Sequence, residues 1–454
     1  MESNHKNTVH LMTEGNILRE LIVFAIPLVL GNLLQQLYST FDSIIVGNCV
    51  GTDALAAVGS SGNLIFLIVS FAQGASVGAG VIVSQYLGAQ DHKGVHRSVH
   101  TSLAIALLLG VIMSIGGVLA SKPLLLAMNT PASVLPQSNT YLKIYFAGTI
   151  FTVLYNMATG ILNAVGNSSR ALRYLAIASV TNIVLDILLV AYMNMGIAGA
   201  AIATVFSQFL SCVFSMAFLM RTEGSYRVSL HKIRFHRADT TKIIKVGFPT
   251  GIQNTVISIS NLLIQTSVNG YGAIPMAGFA SYLKIDGFNI LPVLSISMAI
   301  TTFTGQNVGA RRYDRVKKGT FYTLLIVLVY TIATGILLLT FSRQIMRLFT
   351  SDPDVIAYGR LIMWYFCPFY WLLGILHGLA GTVRGTGKSV PPMAVLLISL
   401  CLYRVLWIWF ILPHFSSIRG VFIAYPTSWL LGAILMIIYT VKAKWLYPVS
   451  PEDE

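Results

Sequence analysis

The sequence predicts an all-α integral membrane protein in which twelve transmembrane helices form two parallel repeats of six. Three observations lead to this class: the composition, a regular series of long apolar segments, and an internal repeat. Of the 454 residues, 55% are hydrophobic and only 10% are charged, and the mean hydropathy is +0.73. Soluble domains carry about 25% charged residues, so the composition places the chain outside the soluble class.

Twelve apolar segments have the length that a bilayer requires, which is roughly 20 residues for a spanning helix. These segments lie at about 17–47, 54–87, 95–119, 134–163, 172–192, 197–220, 241–268, 276–308, 316–341, 355–383, 389–413 and 418–441. The connections between them are short, so the chain is expected to form one helical bundle without an added soluble domain.

The distribution of basic residues predicts the orientation in the membrane. The net charge is +14, and most of the 30 Lys and Arg residues fall in or beside loops on the side that holds the N-terminus. The opposite loops hold Lys122, Arg343, Arg347 and Arg419. Because basic loops stay in the cytoplasm during insertion, both termini are predicted to be cytoplasmic. The positive charge is thus a topology signal, and nucleic acid is not an expected partner.

Other kinds of chemistry have little support in the sequence. Cys49, Cys212, Cys367 and Cys401 are scattered in or beside apolar spans, without metal-ligand spacing or a disulfide framework. No cluster of acidic, His or Ser residues suggests an active site, so neither an enzyme nor a cofactor is expected. The polar segment Met1–Glu14 lacks a cleavable signal pattern, so the first span is expected to be retained.

Three motifs of the first half recur in the second half. Phe24–Asn32 resembles Val246–Asn254, Gln85–Gln90 resembles Gln306–Arg311, and Gly160–Gly166 resembles Gly381–Gly387, each pair about 221 or 222 residues apart. We therefore predict a first lobe at 1–225, a basic cytoplasmic linker at 226–240 and a second lobe at 241–454. Each half has an even number of spans, so both halves enter the membrane in the same orientation. Transporters built from such parallel repeats place the substrate site between the halves, which favours transport over a channel or an enzyme.

Pro27 and Pro249 occupy equivalent positions in the first span of each half. Proline removes one helical hydrogen bond and clashes with the preceding turn, so both helices are predicted to kink there. Proline is also common in membrane helices in general, and this explanation stands beside the hypothesis that Pro27 allows the helix to bend.

Three acidic residues, Asp42, Asp186 and Asp286, lie deep within the predicted spans. An ionised carboxylate at the centre of a membrane helix costs roughly 3 kcal/mol, so each of these residues requires a partner or a proton. Such residues are candidates for a functional site, and the alternative is a structural pair that holds helices together.

Four polar residues of the first half are predicted to lie at similar depth. Asp42, Asp186 and Thr204 each lie about 12 or 13 Å below the outer end of their spans, by the helical rise of about 1.5 Å per residue. Asn182 precedes Asp186 by about one helical turn and shares its face. Two neighbouring carboxylates cannot both ionise cheaply without a cation, so the group suits either a shared proton or a bound Na⁺.

The second half lacks these residues, since Ile264, Tyr403 and Trp407 stand at the positions equivalent to 42, 182 and 186. Ion coupling is therefore predicted in the first half alone. The second half offers Lys284, Asp286 and Arg404 instead. Arg404 either neutralises Asp286 as part of the structure or lines a substrate cavity with it, and the sequence leaves both interpretations open.

A set of short motifs follows in a fixed order along the chain. These motifs are Pro27, Asp42-Ser-Ile-Ile-Val-Gly47, Gly88-Ala-Gln90 with its echo Gly305-Gln-Asn-Val-Gly309-Ala310, Gly166-Asn-Ser168 and Asn182-Ile-Val-Leu-Asp186. In this combination, and over essentially the whole chain, the sequence resembles the multidrug and toxic compound extrusion (MATE) transporters.

The resemblance implies a V-shaped pair of six-helix lobes that exports cationic or amphipathic compounds, such as drugs and xenobiotics, in exchange for Na⁺ or H⁺. It also implies a coupling site at Asp42, Asn182, Asp186 and Thr204, with Tyr141 as the accompanying aromatic residue and the Ala200 carbonyl as a further Na⁺ ligand. Asn156 or Thr159, late in the fourth span, would contribute to the cavity. The seventh span lacks the glutamate of some members, so a proton site of that kind is not expected in the second lobe.

One alternative is a flippase or an exporter of a lipid-linked or other specific metabolite in the same superfamily. Flippases of that kind often carry fourteen spans and a strongly cationic cavity, whereas twelve spans are predicted here. We expect a monomer in the cytoplasmic membrane of a bacterium or an archaeon, with the bilayer and a small-molecule substrate as its partners.

Overall fold

The computed structural model describes residues 11–128, 130–415 and 417–446, apart from the side chains of residues 52, 63 and 67. Over these ranges the chain consists of helices, turns and short loops, without a β-strand. The predicted all-α class is therefore confirmed.

Twelve long helices follow one another in the described ranges, and they are numbered α1 to α12 here. The first six are α1 (Ile17–Cys49), α2 (Thr52–Gly88), α3 (His92–Ala127), α4 (Leu135–Ala147 and Thr149–Ala164), α5 (Ser168–Tyr192) and α6 (Gly196–Arg221). The second six are α7 (Arg237–Asn269), α8 (Ala273–Gly309), α9 (Tyr313–Thr340), α10 (Pro353–Gly385), α11 (Val390–His414) and α12 (Arg419–Lys442). A single turn at Leu230–Lys232 precedes α7, and a short helix at Ser342–Arg347 precedes α10.

Ten of these helices are long and apolar enough to cross a membrane, and α4 is an eleventh whose two parts are bent by 49°. The helix α7 is 33 residues long but more polar, since residues such as Gln253, Asn254 and Gln265 interrupt its apolar sequence. Adding α7 gives the predicted number of twelve. The largest difference from the predicted bounds is in α3, which continues through Pro123 to Ala127 instead of ending near residue 119.

Large apolar side chains cover the outside of the helices. Leu119, Val180, Val329 and Ile336 are between 61% and 74% exposed. In water, each exposed aliphatic side chain of this size forgoes roughly 1.5–3 kcal/mol of burial free energy. Lipid tails are as apolar as these side chains, so a bilayer around the helices removes that cost.

The described residues pack into two compact units. The first contains Leu11 and Ile26–Gly251, and the second contains Met12–Ala25 and the described residues from Ile252 onward. These bounds differ from the predicted lobes, because the start of α1 packs in the second unit and the start of α7 packs in the first. The helix α1 passes from one unit to the other beside Pro27, and α7 does so just after Pro249.

The backbone repeats itself at the turns of the two halves. Six of the nine positive-φ residues in the described ranges form three pairs 221 residues apart, namely Gly51 (115°) and Gly272 (103°), Gln90 (56°) and Arg311 (57°), and Gly166 (79°) and Gly387 (91°). Glycine adopts this left-handed region freely, whereas the side chains of Gln90 and Arg311 make it costly. The internal repeat predicted from the sequence is therefore also a repeat of the backbone.

The same helix crossing occurs once in each unit. In the first unit, Ser76 of α2 donates a hydrogen bond of 2.5 Å to the carbonyl of Asn156 in α4. In the second unit, Ser297 of α8 donates a hydrogen bond of 2.7 Å to the carbonyl of His377 in α10. The two halves thus share helix packing as well as turn geometry.

The bend in α4 lies at Gly148, between the two parts of the helix. The Gly148 amide donates to the carbonyls of Ile144 (3.3 Å) and Tyr145 (3.1 Å). A side chain at this position would overlap Val205 of α6. Glycine therefore allows α4 to change direction while it stays in contact with α6.

The four cysteines are free thiols that differ in exposure. Cys49, the last residue of α1, is exposed. Cys212, Cys367 and Cys401 are buried among helices.

Candidate functional site

The polar residues predicted in the first half lie within the first compact unit. Asp42 comes from α1, Tyr141 from α4, Asn182 and Asp186 from α5, and Thr204 from α6. Each of the five side chains is at most 9% exposed. Four helices therefore contribute to one buried polar region.

Several of these residues are close enough to interact. Asp42 lies within electrostatic range of Asp186. The Tyr141 hydroxyl contacts Thr204 and lies within electrostatic range of Asp42. Asn182 and Thr204 line the same small cavity. The structure thus brings together the five residues that the sequence and the resemblance pointed to in this half.

Three of the four oxygen atoms of the two carboxylates lack hydrogen-bond partners. Among the described residues, Oδ1 of Asp42, both carboxylate oxygens of Asp186, and the amide oxygen and nitrogen of Asn182 are buried without a hydrogen bond. Leaving a buried polar group unpaired costs about 1–3 kcal/mol, and more if it is charged. Carboxylate and amide oxygens are hard ligands, so this set fits a proton or a small cation of the Na⁺ type. In the described ranges, no three or more His, Cys, Asp or Glu side chains are grouped so that they could hold a metal ion.

The helix α5 changes its geometry at this site. It is α-helical up to Asp186 and continues as a π-helix over Ile187–Tyr192. π-Helical turns are rare and frequently accompany functional sites. The residue types of this segment are ordinary helix formers, so the sequence contains no signal that would have predicted the change.

A small cavity adjoins the acidic pair. It is lined by side chains from α1, α5 and α6, namely Tyr38, Leu175, Ala178, Ser179, Asn182, Thr204, Ser207 and Gln208. Tyr38, Ser179 and Gln208 are not among the site residues predicted from the sequence. A signal for two of them exists, because Tyr38 lies four residues before Asp42 and Gln208 four residues after Thr204, on the same helix faces.

Thr204 is held in place by its own helix. Its hydroxyl donates a hydrogen bond of 3.0 Å to the carbonyl of Ala200. The carbonyl that the resemblance assigned as a further Na⁺ ligand is therefore already an acceptor. As a Na⁺ ligand it would use its second lone pair.

Three further predicted residues do not line this cavity. Pro27 is half-buried within α1, which continues through it as one helix. Asn156 and Thr159 are half-buried on the second part of α4. The bending role of Pro27 and the cavity-lining role of Asn156 or Thr159 stay predictions.

Asp286 in the second unit is satisfied by tyrosines. Its Oδ1 accepts hydrogen bonds from Tyr282 at 3.3 Å and from Tyr370. Tyr282 and Tyr370 are also hydrogen-bonded to each other through their hydroxyl groups. Lys284, two residues before Asp286, is exposed and belongs to a different face of α8.

Arg404 has partners of its own in the same unit. Its guanidinium donates to Ser428 (3.0 Å) and Asn261 (3.3 Å) and lies 4.3 Å from the centroid of the Tyr425 ring. The ion pairs among the described residues do not include one between Arg404 and Asp286. The two residues attract each other only at longer range. In this structure Arg404 therefore does not neutralise Asp286 by direct contact.

Long apolar helices in two repeated halves, with a buried acidic pair in the first, are the features of a membrane transporter and not of an enzyme. The sequence profile of the MatE family matches this chain twice, at residues 27–188 and 249–410. The matched residues make up more than half of the chain. The chain therefore belongs to the MATE family, which consists of transporters, and the resemblance found in the sequence is confirmed.

Named relatives match nearly the whole chain. The probable multidrug resistance protein YpnP of Bacillus subtilis is 30% identical over 440 residues, which cover 95% of this chain and 97% of YpnP. The FAD transporter of Shewanella oneidensis is 23% identical over 435 residues, 94% of each chain. The crystal structure of a MATE protein in the bent conformation has a TM-score of 0.87 at 25% identity, covering 94% of this chain and 95% of that one.

Proposed function

We propose that this protein exports small organic compounds of cationic or amphipathic character in exchange for Na⁺ or H⁺. The observation that carries the proposal is the buried acidic pair, Asp42 and Asp186, with carboxylate oxygens that lack hydrogen bonds. Ionisable residues within a membrane are expensive and mark ion pathways in pumps and transporters. The name of the YpnP relative, probable multidrug resistance protein, supports drugs and xenobiotics as the class of cargo.

In this proposal the coupling ion binds among Asp42, Asn182, Asp186 and Thr204, with Tyr141 beside them. Na⁺ would be held by carboxylate, amide and hydroxyl oxygens. A proton would instead be shared between the two carboxyl groups, which lie close enough to repel each other when both are ionised. In both cases the arriving cation cancels part of the buried negative charge.

Ion binding would act on the helix α1. A ligand shifts a conformational equilibrium only by its different affinity for the two states. Because α1 carries both Asp42 and Pro27, a change of charge at Asp42 acts on the helix that the proline weakens. Bending at Pro27 would shrink the cargo cavity of the first lobe and expel the cargo outward. The related MATE protein in the bent conformation supports this step.

The test is transport in proteoliposomes with Na⁺ and pH gradients imposed separately. Organic cations, neutral amphiphiles and metabolites serve as cargo. We expect uphill transport driven by one of the two gradients, and Asp186→Asn should reduce it to the level of empty liposomes because the amide cannot bind or release the coupling ion. Asp354→Asn is the matched control, since Asp354 is exposed at the start of α10.

Two outcomes would contradict the proposal. Transport that only equilibrates the cargo, whichever gradient is imposed, would indicate a passive channel. Normal uphill transport by Asp186→Asn, at an unchanged level of protein in the membrane, would remove the acidic pair from the mechanism.

A second candidate is the export of a specific metabolite that contains phosphate. The FAD transporter of Shewanella oneidensis, which matches 94% of this chain, supports this candidate. Flavin nucleotides in the cargo panel distinguish the two, because a metabolite exporter should carry them and should reject organic cations.

We also propose that the protein is a monomer in the cytoplasmic membrane of a bacterium or an archaeon, with both termini in the cytoplasm and no nucleic-acid partner. The excess of Lys and Arg in the loops predicted to lie on the same side of the membrane as the N-terminus supports this topology. Cysteine labelling of the loops from either side of the membrane tests it.

A further inference from the structure

The motif Gln85–Gln90 and its repeat Gln306–Arg311 have no part in the cycle described above. Each forms the turn between the second and third helices of its half. The backbone hydrogen bonds within one turn join the equivalent residues of the other turn in the same pattern. Their last residues, Gln90 and Arg311, both adopt the left-handed conformation despite their side chains. Such a conformation is retained only where the surroundings require it.

In the second unit, the turn holds the chain just before α1. The Met12 amide donates to Oε1 of Gln306 at 2.8 Å, and Nδ2 of Asn307 donates to the Met12 carbonyl at 3.2 Å. Met12 is 0% exposed and Thr13 is 7% exposed. The segment ahead of α1 is therefore bound to the turn through its backbone and buried there.

Two arginines that follow the turn contact the same segment. Arg312 donates to the Thr13 carbonyl at 2.6 Å. Arg315 donates to three carbonyls, those of Met12 (3.1 Å), Glu14 (2.9 Å) and Gly15 (3.0 Å). The rigid fork of a guanidinium is suited to several acceptors at once. Arg312 also forms an exposed ion pair with Glu14 at 3.4 Å, and Arg315 also donates to Oδ1 of Asn307 at 3.2 Å. Because their other four acceptors are backbone carbonyls, these arginines fix the path of the chain.

In the first unit, the equivalent turn holds the start of α7. The Tyr86 hydroxyl donates to Asp239 at 2.9 Å, and Arg97 forms an ion pair with the same carboxylate. The Asp239 side chain is 0% exposed. Lys242 donates to the Tyr86 hydroxyl at 3.0 Å and lies 5.1 Å from the centroid of its ring.

We propose that the two turns are reciprocal anchors, each of which holds the start of the first helix of the other half. Arg312 and Arg315 are then positioning residues for transport, as are Tyr86 and Arg97. The helix α1 begins in the second unit and enters the first beside Pro27. A bend at Pro27 therefore acts against a fixed base, and the anchors stay closed throughout the cycle. The transport part of this inference rests on the function proposed above, whereas the anchoring part does not.

Labelling of a cysteine at position 13 tests the anchor. We use Thr13→Cys with Cys49→Ser in inside-out vesicles and measure the rate of reaction with a membrane-impermeant maleimide. Adding Arg312→Ala and Arg315→Ala should raise this rate at least about tenfold, because the charged hydrogen bonds that bury the segment are lost. Lys318→Ala, an exposed cation on the same helix, is the matched control and should leave the rate unchanged.

Arg315→Lys provides a milder variant for the case in which the double variant does not reach the membrane. A lysine keeps the charge but cannot contact three carbonyls at once, so labelling should rise several-fold. The initial rate of efflux should fall, while the apparent affinity for cargo stays unchanged because Arg315 does not contact the cavity.

The outcomes separate the two parts of the inference. An unchanged labelling rate in both arginine variants would overturn the anchor. Labelling of the otherwise wild-type protein that accelerates when gradient and cargo are added would overturn the statement that the anchors stay closed. If the protein carries none of the cargo tested, the proposed function fails, and the labelling rates still decide the anchor.

Discussion

When both are ionised, Asp42 and Asp186 repel each other inside a region that gives them few hydrogen-bond donors. A buried like-charge pair of this kind lowers the stability of the protein unless a cation is present. If the pair binds the coupling ion as proposed, function and stability oppose each other at this place. Removing one charge should harm transport and help the fold.

The first prediction concerns this opposition. Asp42→Asn should raise the free energy of unfolding by on the order of 1 kcal/mol in Na⁺-free buffer at pH 8, because it removes a buried charge and, with it, the repulsion of Asp186. The gain should shrink as the pH falls, since a proton then cancels the same charge in the wild type. Thermal unfolding in detergent measures it across pH, and a variant less stable than wild type at high pH contradicts the argument.

The second prediction separates the two coupling ions. If Na⁺ binds at the pair, a concentration of about 100 times its dissociation constant should stabilise the wild type by about 2.7 kcal/mol. Asp186→Asn should lose this stabilisation, because it removes a ligand. K⁺ at equal ionic strength is the control. If Na⁺ does not change the stability of the wild-type protein but a lower pH raises it, the coupling ion is H⁺ instead.

Two of the helices that carry the candidate site depart from regular geometry. The π-helical end of α5 follows directly after Asp186, and α4, which carries Tyr141, bends at Gly148. The sequence predicted where these helices lie, because apolar length alone defines a span. It did not predict the bend or the π-helix, because both depend on the neighbouring helix and not on local residue preference.

The third prediction concerns the bend in α4. Gly148→Ala should destabilise the protein by about 1–3 kcal/mol, because the new Cβ overlaps the side chain of Val205. Val205→Ala in the same chain should recover a large part of the loss. A double-mutant cycle of unfolding free energies measures the coupling, and additive effects of the two substitutions would show that the contact is not the cause.

At the scale of the whole molecule, the duplication predicts equal roles for equivalent contacts. The crossing of α2 with α4 and that of α8 with α10 each contain a serine that bonds to a helix carbonyl. Gly160 and Gly381 lie at these crossings, where an added Cβ would come within 2.7 Å of the Ser76 carbonyl oxygen and 2.5 Å of that of Ser297.

The fourth prediction follows from these distances. Gly160→Ala and Gly381→Ala should each destabilise the protein by about 1–3 kcal/mol, since backbone oxygens cannot move aside as a flexible side chain can. Gly116→Ala is the control, because a Cβ there meets no neighbouring atom within 4 Å. Unfolding temperatures of the purified variants measure the effect, and a normal value for either crossing variant would contradict the close approach.

The bounds of the two compact units could not be predicted from the sequence. The repeat offset placed the boundary in the basic linker, because sequence similarity follows the order of the chain. Packing follows contacts instead, and the segment before α1 finds its acceptors and donors on Gln306, Arg312 and Arg315. Acidic residues in apolar spans did identify Asp42 and Asp186, whereas Tyr38 and Ser179 carry no charge that distinguishes them from packing residues.

The exposure of the cysteines has a practical consequence. Cys49 ends α1, the helix that carries Asp42 and Pro27, and it is exposed while the other three thiols are buried. A fluorophore coupled to the natural chain should therefore attach at a single site, without engineering. Its emission or anisotropy would report, in real time, each displacement of the C-terminal end of this helix as ions and cargo are supplied.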